Sequence, residues 1–120
     1  MATGRAIATS ASIALTNAYT RTAVAVPSKA DLSLVSVEMT SISGAASVTW
    51  YLSRDSAGDQ PITPLWTDTI LDAGSGSGAG SVVRDMAGAL NHAGGSLYVN
   101  AKLDAGTATG VARVGYRAGP

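Results

Sequence analysis

Strict alternation from Leu97 to Tyr116 constrains what this chain can fold into more than any other feature. Leu97, Val99, Ala101 and Leu103 alternate with Tyr98, Asn100, Lys102 and Asp104, and after Ala-Gly-Thr the period resumes with Ala112, Val114 and Tyr116. Side chains separate onto two faces every second residue only in extended backbone, one face for a core and one opposite it. Two such runs joined by a glycine-bearing connection read as a β-hairpin.

The same period recurs upstream. Val48, Trp50 and Leu52 alternate with Thr49, Tyr51 and Ser53, after which Arg54-Asp55-Ser56-Ala57-Gly58-Asp59 supplies turn chemistry. Val24 and Val26 share a parity within a strand over residues 19 to 26, closed by Pro27-Ser28. Ala11, Ile13 and Leu15 share a parity in a paler N-terminal segment, residues 1–17, which reads as an arm or an edge strand. Leu32 and Leu34 fall on one parity and Val35, Val37 and Met39 on the other. Either a β-bulge near Leu34 reconciles them or the strand is buried on both sides, and the bulge is favoured.

Pro61 and Pro64 hold extended backbone before Thr67 to Leu71, a further strand or sheet-edge segment, and Trp66 beside them is a core lid or an exposed contact. Residues 73–81, Ala-Gly-Ser-Gly-Ser-Gly-Ala-Gly-Ser, have the composition of a flexible loop. Val82, Val83, Met86 and Leu90 fit a short helical segment ending at Gly94-Gly95, or a strand over Ser81 to Met86; the β signals on both sides favour the strand. Six to eight short strands with turn chemistry about every ten residues describe an all-β fold, an antiparallel β-sandwich of jelly-roll type. Residues 18–120 form its single domain.

Such a core is thinly supplied. Ile, Leu and Val together make 24 of 120 residues, Phe is absent, and Gly, Ala, Ser and Thr make 62. An alanine buries far less apolar area than a leucine, so stability in isolation is expected to be modest and subunit contacts to help. Eight basic residues balance eight acidic ones and none adjoins another of its own sign. That pattern opposes nucleic-acid binding, which draws on clustered Lys and Arg, and leaves no polybasic membrane patch. No run reaches the length of a membrane span, and Thr and Ser interrupt the signal-like stretch after Arg5.

The chemistry-bearing residues are few. With no cysteine, thiol catalysis and thiolate metal sites are excluded. His92 is the only histidine and lies in loop-like Ala-Leu-Asn-His-Ala-Gly-Gly, so a hydrolase built around it is the least favoured reading. Gly74-Ser75-Gly76-Ser77-Gly78 matches a nucleophile-elbow pattern literally, but within low-complexity sequence rather than between a strand and a helix. Asp55 and Asp59 lack the spacing of a calcium loop, and Glu38 is the only glutamate. No catalytic, cofactor or metal residue is therefore assigned. Contacts remain: Tyr51 and Tyr98 lie on outward parity, with Asn100 and Lys102 beside Tyr98, whereas Trp50 shares the inward parity of Val48 and Leu52.

The run Trp50-Tyr51-Leu52-Ser53-Arg54-Asp55-Ser56-Ala57-Gly58-Asp59, the run Leu97 to Ala108 and the closing Val-Ala-Arg-Val-Gly-Tyr-Arg resemble small structural proteins of tailed-bacteriophage particles, head decoration or cement proteins above all. The resemblance covers the C-terminal two-thirds and carries over no functional residue. It implies a non-enzymatic subunit, commonly trimeric, made in the host cytoplasm and seated on the capsid exterior, where it staples neighbouring major capsid proteins. The N-terminal segment would then be an arm pairing with a neighbour by strand addition, with Ile7, Ile13 and Leu15 filling alternate pockets. A carbohydrate- or receptor-binding module of a tail or fibre, using Tyr51, Tyr98 and Trp66, is the alternative.

Overall fold

Alternating apolar residues from two antiparallel sheets meet in one space between them, and the protein is a β-sandwich. The computed structural model describes residues 5–27, 30–72, 77–86 and 96–117. In chain order the strands are β1 (Arg5–Thr9), β2 (Ile13–Leu15), β3 (Thr20–Ala25), β4 (Asp31–Ser43), β5 (Ser47–Ser53), β6 (Trp66–Thr69), β7 (Leu71–Asp72), β8 (Ser77–Asp85), β9 (Ser96–Leu103) and β10 (Thr107–Arg117). Sheet one runs β1-β10-β4-β8-β7, with β2 also paired to β10; sheet two runs β3-β9-β5-β6.

The ten strands among the described residues exceed the expected six to eight because two segments each divide. The N-terminal segment breaks between β1 and β2, where Ser10 donates its N–H to the Ala112 carbonyl at 2.9 Å while its hydroxyl accepts the Ala112 N–H at 3.0 Å. A side chain thus stands in for a rung of the ladder. The segment after Trp66 leaves sheet two at Ile70, whose N–H goes to the Ala46 carbonyl, and joins sheet one at Leu71. The glycine- and serine-rich stretch 73–81 is likewise not all loop. Residues from Ser77 onward belong to β8, with Gly78 opposite Ile42 and Gly80 opposite Met39. Gly and Ser favour strands weakly, but the long β4 offers a ladder that tertiary pairing fills regardless of propensity.

The largest correction concerns the alternating stretch itself. β9 pairs with β3 and β5 in sheet two, whereas β10 pairs with β1, β2 and β4 in sheet one. The two strands are an arch across the sandwich, not a hairpin. Their apolar sets, Leu97, Val99 and Leu103 on one side and Ala112 and Val114 on the other, enter the core from opposite sheets. Alternation reports that a strand has a buried face, and both arrangements satisfy that equally.

The connection between β4 and β5 is a second arch, and the two pack side by side. A Cβ on Gly106 (φ 71°) would stand 1.9 Å from the Ser43 carbonyl oxygen, so only glycine fits where the arches touch. The Asp104 carboxylate latches them, accepting the N–H groups of Ala46 at 2.9 Å and Ser47 at 3.2 Å. Those bonds hold its pKa below the ordinary 3.8, against a smaller upward push from burial. A depressed carboxylate stabilises the fold above its unfolded pKa and loses that contribution as pH falls through the folded value. The urea midpoint of the wild-type protein is therefore expected to drop more steeply below about pH 4 than that of Asp104→Ala. Parallel acid slopes for the two proteins would remove the latch from the stability account.

The parity break in β4 is a bulge, as expected near Leu34. The register against β10 skips Ser33 between Leu32 and Leu34, and a second shift skips Thr40. Each extra residue returns the strand to phase, so Leu32, Val35, Val37, Met39 and Ile42 reach the core, but Leu34, which the bulge was expected to bring in with them, stays on the outer face. Trp50 is the largest fully buried side chain and shares the inner side of sheet two with Val24, Val48, Leu52 and Val99.

Candidate functional site

With the core accounted for, the outer faces of the two sheets differ in chemistry. Register on sheet two puts Arg21, Asn100 and Tyr51 in one cross-strand row, Ala23, Tyr98 and Ser53 in the next, and Lys102 beside Thr49. Tyr19, one residue before β3, completes the cluster. Its ring meets Tyr51 edge-on with centroids 5.7 Å apart, the Lys102 ammonium lies 4.9 Å from its centroid, and the Arg21 guanidinium lies 5.5 Å from it. Cations near an aromatic face are attracted by the ring quadrupole. Burial pushes the Tyr19 phenol upward, Tyr51 adds to the rise and Arg21 opposes it, so Tyr19 stays a neutral donor at physiological pH.

The loop after β5 folds back over this face. Burial pulls the Asp55 carboxyl upward, but backbone N–H donors, those of Asp59 and Gln60 first, together outweigh it and lower its pKa; these two bonds measure 3.0 and 2.8 Å. The aspartate thus serves the turn. Gly58 (φ 78°) lies where an added Cβ would be 2.5 Å from the Tyr51 hydroxyl, 2.6 Å from Arg21 Nε and 2.8 Å from Asn100 Oδ1. The Tyr51 hydroxyl in turn donates to the Gly58 carbonyl at 2.9 Å. Asn100 is fully buried beneath, its Nδ2 directed at Ser53 Oγ (2.9 Å) and at the carbonyls of Tyr98 and Tyr51. Its Oδ1 has no donor among the described residues.

The outer face of sheet one is apolar by comparison. Ile7, Gly115 and Leu34 lie in one row, and Arg113, Ser36 and Val83 in another. Gly115 has no side chain to fill the space between its neighbours, so it floors a shallow groove of about 240 Å³ that Arg113 and Glu38, an ion pair, border. Ile7 is 69% exposed, Leu34 46% and Val83 43%. In a chain short of large aliphatics, three of them left in water on one face make it a candidate contact surface.

Not every residue singled out from sequence lies on these faces. Tyr51, Tyr98 and Lys102 are half-buried on the outer side of sheet two and Ile7 is exposed on sheet one. Asn100 shares the outward parity but is covered by the loop, which makes it a support rather than a contact. Ile13 and Leu15 fill this chain's own core, because β2 pairs with β10 of the same chain. Trp66 points inward, its ring 5.0 Å from that of Trp50 and under the Arg84 guanidinium, so it closes the core as a lid. Sequence reasoning missed Tyr19, Arg21, Leu34 and Val83. The odd-numbered parity opposite Val24 was the available signal for the first two. His92 lies outside the described residues.

No family model and no curated protein matches the chain. Among solved structures it is similar to the Eiger TNF from S. frugiperda, with TM-score 0.44 and 11% identity over 97% of this chain and 93% of that one. An exo-β-1,3-galactanase from Phanerochaete chrysosporium gives 0.49 and 14%; the match covers 92% of this chain but only 27% of the enzyme. The Bacillus endospore appendages, which form disulfide-linked pili, give 0.40 and 16% over 99% and 96% of the two chains. At these scores none bears on what this chain does.

Proposed function

We propose that the chain is a non-enzymatic structural protein that decorates or cements a phage capsid by bridging neighbouring capsid subunits. The observation that supports this reading is the pairing of two unlike outer faces on one rigid sandwich, an apolar groove on sheet one and an aromatic and cationic cluster on sheet two. A bridging protein needs two contact surfaces, and unlike chemistries keep each from accepting the other's partner. The resemblance to head decoration proteins supplies the setting and the expectation of a trimer.

Quantitative mass spectrometry of gradient-purified particles tests it. Copies in fixed ratio to the major capsid protein are expected, and Leu34→Lys with Val83→Lys, folded by circular dichroism, is expected to fall off the particle. A handful of copies per particle would favour a tail or fibre receptor-binding module instead. Absence from particles overturns both.

A further inference from the structure

We infer that the outer face of sheet two docks an acidic segment of a partner protein, with Arg21 and Lys102 as the groups that meet its carboxylates. This rests on the reading of that face as a contact surface and names the chemistry of what it contacts.

Both cations are held in place, and neither forms an ion pair among the described residues. Tyr19 fixes them over its ring, Lys102 from β9 and Arg21 from β3. The ion pairs among the described residues lie elsewhere: Asp68 with Arg84 at the edge between the sheets, and Glu38 with Arg113 on sheet one. The acids near this face do not compensate. Asp55 is engaged by the backbone of its own turn, Asp59 forms no ion pair among the described residues, and Asp104 faces the Ala46 and Ser47 amides. A preorganised pair of cations without counter-charge is complementary to carboxylates, and little side-chain freedom is left to lose on binding.

Other partners fit less well. Sugar recognition by stacking needs an open ring face, and the Tyr19 ring already has two cations over it and Tyr51 against it. A nucleic acid needs many neutralised phosphates, whereas this chain has a net charge of zero. Two carboxylates presented by a protein segment match the charge available.

The probe is a fluorescein-labelled glutamate decapeptide, followed by anisotropy, with a lysine decapeptide and sialyllactose as the other arms. The wild-type chain is expected to bind the glutamate peptide, more weakly as salt rises. Arg21→Gln with Lys102→Gln is expected to weaken binding roughly tenfold, as loss of two exposed ion pairs would. Arg21→Lys with Lys102→Arg is expected to retain it, and Arg113→Gln on the other sheet to leave it unchanged. The inference is overturned if the wild type does not bind the glutamate peptide, if the glutamine variant binds as well as wild type, if Arg113→Gln weakens binding equally, or if sialyllactose is preferred. The assay uses no particle, so its failure is distinguishable from failure of the capsid reading.

Discussion

Trp50→Ala is expected to destabilise the protein by about 4 kcal/mol, the usual range for truncating a fully buried indole. The indole is the largest fully buried side chain, packs edge-on against Trp66 and donates Nε1–H to Asp68 at 2.7 Å. With no Phe in the chain and alanine supplying much of the apolar content, the core has little aliphatic mass with which to fill the cavity. Single domains are stable by only about 5–15 kcal/mol, so a large share of the fold's stability goes with one side chain. Urea unfolding followed by circular dichroism measures it, since Trp66 would be the only indole left. A loss below about 1 kcal/mol would mean that the core closes over the gap, as well-relaxing sites do.

Asp68→Ala is expected to cost about 3 kcal/mol, because it strands two donors at once. Asp68 on β6 accepts Trp50 Nε1–H through Oδ2, and Arg84 of β8 grips both its oxygens, Nε at 2.9 Å and the terminal nitrogen at 2.6 Å. β6 belongs to sheet two and β8 to sheet one, so the carboxylate ties the sheets together where Trp66 closes the core. Asp68 is 21% exposed and Arg84 39%, which screens the pair in part and places most of the cost in the orphaned indole N–H and the half-buried guanidinium. Adding Arg84→Met to Asp68→Ala is expected to recover part of the loss, since the uncompensated charge then disappears. Urea midpoints of the single and double variants measure the recovery. If the double variant is less stable than Asp68→Ala alone, the charge was not what the substitution exposed.

These interactions were legible to different degrees. The inward direction of Trp50 followed from its parity with Val48 and Leu52, but its bond to Asp68, eighteen residues away, did not. Tyr51 and Tyr98 could be assigned an outward direction in the same way. That Tyr19 and Arg21 join them depends on β3 lying beside β9, a pairing between residues such as Arg21 and Asn100, almost eighty apart in the chain. Asn100 shows the reverse error. Its parity is outward, yet the turn organised by Asp55 brings Gly58 over it. Parity says which side of a sheet a residue occupies and nothing about what later covers that side.

The stretch from Leu97 to Tyr116 marks the boundary most clearly. The sequence by itself determined that both halves are extended and that Leu97, Val99, Leu103, Ala112 and Val114 face a core, because period two is a property of local backbone geometry. It favoured a bulge near Leu34 over a strand buried on both sides, and the register has one at Ser33, although Leu34 itself stays on the outer face. Only the tertiary structure decided that β9 and β10 face each other from different sheets. Pairing depends on which strand edges the rest of the chain offers, and here β3 and β5 occupy both edges of β9, leaving none for β10.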